Sequence, residues 1–360
     1  MLYKLKDIFD LQMGKTPSRN NIEYWNTNDY KWVSIADLTK TDKYISDTKE
    51  YLSKKAVNES GIKIIPANTV IMSFKLSIGK TAITAEDMYS NEAIMAFHDK
   101  HIVEILPEYI FYLFKYKNWD DGSNKAVMGK TLNKAILSEV EIDICSIEEQ
   151  RKIVNVLDKI MNLISARKKE LSYLDTFTKA RFVEMFGNPE ANEKEWKMNT
   201  FGDICTVRQG LQIPISKRLT QYEDDCYEYI TVQYLHGGKE REYIKSPKTS
   251  VICTQNDILM TRTGNTGMVV TGVDGVFHNN FFLIDFDRNK YDKDFLVQYL
   301  KLDIIQADIL RRAGTSTIPD LNHSDFYKIK IFEPPIELQK QFTELITQVD
   351  KSKLQKFSAA

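Results

Sequence analysis

The sequence is poor in the residues that usually announce chemistry. It has 360 residues with only 4 cysteines and 5 histidines. Cys145, Cys205, Cys226 and Cys253 are scattered and form no C-x-x-C pair, so reduced thiols are expected and a zinc site is not. His98 and His101 are the one close histidine pair; without carboxylate or thiolate partners at matching spacing they read as a surface turn. No window approaches the roughly 18 uninterrupted apolar residues of a membrane span, so no membrane association is expected. The stretch Met1-Leu2-Tyr3-Lys4-Leu5-Lys6-Asp7 lacks the apolar core of a secretory signal, and a cytoplasmic location is expected. Excess charge is missing too. The 49 Lys+Arg stand against 50 Asp+Glu, a formal net charge of −1, which excludes a uniformly basic coat for nucleic acid. By region the charge is −1 for residues 1–147, +1 for 148–198, −2 for 199–335 and +1 for 336–360, so no whole segment is basic.

Catalytic signatures are missing as well. Gly-Lys-Thr occurs at Gly14, Gly79 and Gly129, but a phosphate-cradling loop needs a second glycine five residues earlier. Those places hold Phe9, Phe74 and Asn124. Pro319-Asp320 followed by Asp325-Phe326-Tyr327-Lys328 imitates a nuclease signature, yet on a strand Asp325 and Lys328 would point to opposite faces. A turn entering a strand is expected there. No glycine-rich cofactor loop follows a β-type run. Asn188-Pro189 continues with Glu190, which is not the Asn-Pro-Pro-aromatic motif of an adenine methyltransferase. The chain reads as non-catalytic.

What the sequence does contain is ordinary globular composition, 42% hydrophobic and 28% charged, enough for two or three domains, and an internal repeat. Lys6-Asp7-Ile8 with Gln12-Met13-Gly14 recurs as Gly202-Asp203-Ile204 with Arg208-Gln209-Gly210. Trp32-Val33-Ser34-Ile35 is answered by Tyr229-Ile230-Thr231-Val232, and Asn68-Thr69-Val70-Ile71-Met72-Ser73 by Asn256-Asp257-Ile258-Leu259-Met260-Thr261. Ile147-Glu148-Glu149-Gln150-Arg151 is answered by Ile336-Glu337-Leu338-Gln339-Lys340. The shared order and near-constant offset indicate a duplication of one unit, a globular segment followed by a helix.

The globular segments, 1–147 and 199–335, alternate short β-type runs with turns, and each carries a short amphipathic helix, at 108–116 and 294–302. An α+β fold is expected for both. Ser146 with Glu149 forms a capping box for a helix over 148–187. Ile153, Leu157, Ile160, Ile164, Leu171 and Leu174, with Arg167 in the remaining slot, repeat every 3.5 residues, as in a coiled coil. Residues 148–186 make a rod of about 58 Å at about 1.5 Å per residue, stopped by Gly187 and Pro189. The second helix, 336–357, follows Pro334-Pro335 and is about half as long.

Two such domains, each followed by a helix beginning Ile-Glu-x-Gln-(Arg/Lys), resemble the specificity subunit of a type I restriction-modification system. The likeness covers essentially the whole chain. It is carried by Asp7-Ile8 to Gly14-Lys15-Thr16-Pro17, by Leu259-Met260-Thr261-Arg262-Thr263-Gly264-Asn265-Thr266-Gly267, and by Ile147-Glu148-Glu149-Gln150-Arg151 leading to Arg181-Phe182-Val183-Glu184-Met185-Phe186-Gly187-Asn188-Pro189. The resemblance implies two target recognition domains, each reading half of a bipartite site in double-stranded DNA. It implies helices packed as an antiparallel coiled coil that sets the gap between half-sites. It also implies two methyltransferase subunits, which carry S-adenosylmethionine and methylate adenine, and motor-nuclease subunits, which use ATP and Mg²⁺. The chain itself is expected to hold no cofactor and no metal. The short second helix departs from the family pattern of comparable helices. The recognition subunit of another multisubunit restriction enzyme, or a tandem interaction scaffold without a DNA role, are the competing readings.

Glycine-containing loops with cations and hydroxyl or amide groups, at 75–80, 125–131, 262–266 and 311–316, are the candidate DNA contacts. Within them Lys75, Lys80, Lys130, Thr131, Arg262, Asn265, Thr266, Arg311, Arg312 and Thr315 are singled out. At the helix starts, Glu149, Gln150, Arg151, Gln339 and Lys340 recur in both repeats and are expected to be exposed and to dock the methyltransferase subunits. With so even a charge balance, the isolated chain is expected to bind DNA weakly and with strong salt dependence.

Overall fold

The repeat seen in short motifs is also a repeat of strand order. A computed structural model describes residues 1–75, 77–119, 132–235, 237, 240–314 and 319–357. It divides into two compact units, Met1–Ala166 and Arg167–Ala360. In the first, a five-stranded sheet runs in the order Phe9–Met13, Ile94–Asp99, Val70–Ser73, Thr81–Thr84, Tyr44–Ile45. Beside it stand a three-stranded sheet, Glu50–Leu52, Trp25–Val33, Tyr89–Ser90, and a pair formed by Leu2–Lys4 and Glu141–Asp143.

The second unit repeats this plan. Its first sheet runs Cys205–Gln209, Phe281–Phe286, Ile258–Thr261, Val269–Val270. Its second runs Tyr243–Lys245, Cys226–Ile230, Gly275–Phe277, Ile252–Cys253, and Lys197–Thr200 pairs with Lys330–Glu333. Even the parallel pairing recurs: Trp32 and Val33 face Tyr89 and Ser90, while Tyr229 and Ile230 face Val276 and Phe277. A glycine is needed at one equivalent place in both. A Cβ on Gly14 would lie 2.2 Å from Asn91 O, and one on Gly210 would lie 2.2 Å from His278 O.

The central strands are buried on both faces because alternate residues feed different cores. Val70 and Met72 pack with Phe97 and the helix Pro107–Tyr116, while Ile71 packs with Val33, Ile94 and Ala96. In the second unit Ile258 and Met260 pack with Phe282 and the helix Lys293–Lys301, and Leu259 packs with Phe281 and Leu283. Each short helix is thus an amphipathic cover for one face of its unit's first sheet.

The long helix spans Ile147–Phe186. Ser146 Oγ accepts the Glu149 N–H at 3.3 Å, and Gly187, at φ 85°, ends the helix with its N–H on Val183 O at 2.8 Å. The expected 3.5-residue seam is buried only in part, with Leu157, Leu171 and Leu174 half-buried. Ile153, Ile160 and Ile164 are 39%, 46% and 43% exposed. Leu157 of the seam packs on the first unit's core together with Val154 and Met161. The reason is the neighbour: this stretch of helix rests on a globular surface, so the stripe facing that surface is the one buried. Its last turns belong to the second unit, where Phe182 and Phe186 are fully buried. Residues 162–169 between these anchors are all exposed. The second helix, Ile336–Phe357, buries Phe342, Ile346 and Val349, and the Phe342 ring meets Phe182 and Phe186 at 5.3 and 5.4 Å between centroids.

Candidate nucleic-acid interface

Two of the four candidate loops are the same structure built twice. After Val70–Ser73 a hairpin loop is closed by a hydroxyl: the Lys80 N–H donates to Ser73 Oγ at 3.1 Å, and Ser73 Oγ donates to Ser77 O. After Ile258–Thr261, the Met268 N–H donates to Thr261 Oγ1 at 2.9 Å, and Thr261 Oγ1 donates to Asn265 O at 2.5 Å. Gly79 and Gly267 close the two loops at φ 85° and 88°, a left-handed conformation that favours glycine. Their N–H groups donate to Ser73 O and Thr261 O at 3.0 and 2.9 Å. The backbone is common; the residues it carries are not. Phe74, Lys75 and Ser77 correspond to Arg262, Thr263 and Asn265.

Within these loops Lys80 and Asn265 are exposed. Lys75 is half-buried with its ammonium 5.3 Å from the Phe74 ring centroid. Arg262, a candidate DNA contact, is already paired within the chain. Its Nε and Nη2 donate to Asp320 Oδ1 and Oδ2 at 2.9 and 2.7 Å, and Nη1 reaches Gln209 Oε1 at 3.4 Å. The Thr266 hydroxyl is also engaged, donating to Pro319 O at 2.7 Å. It ties the hairpin loop to the segment leading into the helix His323–Tyr327.

Arg311 and Arg312 depart further from expectation. They lie in the last turn of the helix Asp303–Ala313, not in a loop, and both bond to Asp308, Arg312 Nε at 2.8 Å. Burial opposes ionisation of that carboxyl, but its bonds to Arg312 and Arg311 win and hold its pKa below the usual range. These two arginines are therefore partly neutralised by their own helix. Lys130, Thr131 and Thr315 lie outside the described residues.

The imitation nuclease signature resolves into structure. Asp325 and Lys328 sit on and just after a short helix, not on a strand, and form an ion pair of 2.9 Å; Asn322 caps that helix by accepting the Asp325 N–H. The reason is the cap: Asn322 favours a helix start. His101 is indeed an exposed turn residue, at φ 56°, whereas His98 lies half-buried on the strand Ile94–Asp99. Among the described residues no cluster of three or more His, Cys, Asp or Glu is placed to hold a metal ion, and no helix is long and apolar enough to cross a membrane.

At the helix starts the expectation of exposure holds for Glu149, Arg151 and Lys340 and fails for Gln150 and Gln339. Both glutamines are completely buried. Gln150 accepts the Leu106 N–H and donates to Glu104 O and Cys145 O. Gln339 accepts the Asp292 N–H and donates to Lys290 O and Pro334 O. Their amides bind their own domain, which removes them from any partner surface. Lys340 pairs with Glu337 at 3.0 Å.

Three residues of the second unit's polar cluster are not among the sequence candidates for the site: Gln209, Asp320 and His323. Gln209 Nε2 donates to Asn279 O at 2.5 Å, which orients its Oε1 toward His323 Nε2 at 2.7 Å. Burial, and then the positive charge of Arg262, push the His323 pKa down and favour the neutral ring. Gln209 lay in the repeat motif Arg208-Gln209-Gly210 and could have been marked there.

Residues 1–173 and 193–357 each match the type I restriction modification DNA specificity domain. The chain belongs to this family. A relative in Methanocaldococcus jannaschii, the type I restriction enzyme MjaIX specificity subunit, is 27% identical across 95% of this chain and 85% of its own length. The EcoprrI specificity subunit of Escherichia coli is 22% identical across 96% of this chain and 86% of its own. The crystal structure of the type I restriction-modification S subunit from M. genitalium superposes with a TM-score of 0.55 at 15% identity, covering 100% of this chain and 91% of that one, which shows the shared fold. The chain is thus a DNA specificity subunit, and its two hairpin loops are equivalent places on two DNA specificity domains.

Proposed function

We propose that each unit of this specificity subunit reads one half of a bipartite duplex target, and that the helices set the gap between the halves. Two hairpin loops with one hydroxyl-closed backbone and different tip residues carry this reading. A duplicated scaffold offers DNA two equivalent approaches, and divergent tips make the two half-sites differ. Lys75, Lys80 and Asn265 are the first contacts, joined by Lys130, Thr131 and Thr315. The exposed Glu149, Arg151 and Lys340 dock two methyltransferase subunits, one at each helix start, and motor-nuclease subunits complete the restriction enzyme. S-adenosylmethionine, ATP and Mg²⁺ reside on those partners, and this chain supplies no catalytic group. Its near-zero charge fits a base reader whose partners supply much of the attraction for phosphate.

The experiment is a binding titration of the assembled methyltransferase on duplexes carrying both half-sites. Affinity should fall with salt and collapse when the gap changes by one base pair. Equal affinity for every gap length would overturn the proposal.

A further inference from the structure

The contact between Arg262 and Asp320 is side-on. A guanidinium has five N–H donors, and Asp320 takes the Nε–H and one Nη2–H at 2.9 and 2.7 Å. Nη1 reaches Gln209 Oε1 only at 3.4 Å, and that oxygen has a nearer partner in His323 Nε2 at 2.7 Å. One N–H on each terminal nitrogen is left without a protein acceptor among the described residues. The Arg262 side chain is 29% exposed, so it is not sealed from a ligand.

A guanidinium pinned along its Nε–Nη2 edge still offers its Nη1–Nη2 edge. Two parallel N–H groups there match O6 and N7 of guanine in the major groove. The carboxylate also decides between base and phosphate. Arg262 and Asp320 together carry no net charge, and Asp320 is 47% exposed, so it repels a phosphate placed beside it. What the pair retains is directional hydrogen bonding, with the arginine ordered before DNA arrives. The first unit has no counterpart, because Phe74, 1% exposed, stands where Arg262 stands in the second.

We propose that Asp320 is a positioning residue that holds Arg262 so that its free terminal edge reads a guanine in the half-site of the second unit. This rests on the proposed function, since it requires that unit to have a half-site of its own.

The test selects preferred duplexes from a randomised library with the assembled methyltransferase carrying the wild-type chain, Arg262→Ala, Asp320→Asn or both changes. Each single change should lower the preference for guanine at the same single position of one half-site, by about 5- to 150-fold. The double change should cost no more than Arg262→Ala. The other positions and the other half-site should stay as they are. Placing 7-deazaguanine, which lacks N7, at that position should weaken wild-type binding and leave Arg262→Ala binding unchanged. Unaltered preferences in Asp320→Asn, uniform weakening over all sequences, or loss of every preference in that half-site together would each overturn the inference. A wild-type selection without a two-part motif would overturn the bipartite reading itself, and the inference with it.

Discussion

The side-chain oxygen of Gln339 accepts the backbone N–H of Asp292 at 2.8 Å, clamping the start of the C-terminal helix to the N-cap of the helix Lys293–Lys301. In the first unit Gln150 holds Leu106, the residue before the helix Pro107–Tyr116, at 2.9 Å. Each glutamine makes three such bonds from a fully buried position. Gln339→Leu removes them and leaves backbone groups unpaired, at an expected cost of about 2–4 kcal/mol. Hydrogen exchange should show faster opening of residues around 290–302 and an unchanged first unit. Gln150→Leu should do the reverse.

The hydroxyls that close the hairpin loops give a paired prediction. Ser73→Ala and Thr261→Val each leave a loop N–H without its acceptor. Each should lower discrimination at one half-site only, by about fivefold, from roughly 1 kcal/mol per lost bond. Competition binding with single-base variants checks this. The two substitutions should affect opposite halves of the target.

Phe182 is completely buried among Phe295, Tyr299, Phe332 and Phe342, and it anchors the long helix in the second unit. Phe182→Ala should lower that unit's stability by about 3–5 kcal/mol. In denaturant titrations the second unit's transition should move to lower concentration while the first unit's stays in place.

Three half-buried imidazoles set a pH dependence. Burial lowers the pKa of His98, His278 and His323 below 6.5, with Arg218 adding to the effect at His278 and Arg262 at His323. A depressed pKa in the folded state means the unfolded chain takes up protons first. The contribution to stability is therefore complete above pH 6.5 and is lost as pH falls through the folded values. Melting temperature should drop between pH 7.5 and pH 5, less steeply in His323→Asn than in the wild type. Imidazole titration by NMR should place all three below 6.5.

Much of the fold was legible because duplication wrote it twice. The motif offset of 188 between Val70 and Ile258 is also the offset between Ser73 and Thr261, the hydroxyls that close the two hairpin loops. The helices Ile147–Phe186 and Ile336–Phe357 have local signals beside them in the sequence, Ser146, Gly187 and Pro335. The 3.5-residue seam coincides only in part with the buried stripe, for a physical reason. Periodicity shows which residues share a stripe, but the domain that covers Val154, Leu157 and Met161 decides which stripe is buried. The site was harder still. Gln150 and Gln339 look like surface amides until backbone groups far along the chain come to meet them. Arg262 looks free until Asp320, 58 residues later, is folded against it. Spacing within a motif carries no information about such partners.

The central claim is that each unit reads its own half-site. It is tested most directly by exchanging residues 199–335 for the second recognition segment of a family member with a different target, and sequencing the methylome of a host expressing the chimera with its methyltransferase. The account predicts a two-part methylated motif in which one half changes and the other keeps the wild-type bases. A change in both halves, or a single contiguous motif, would contradict it.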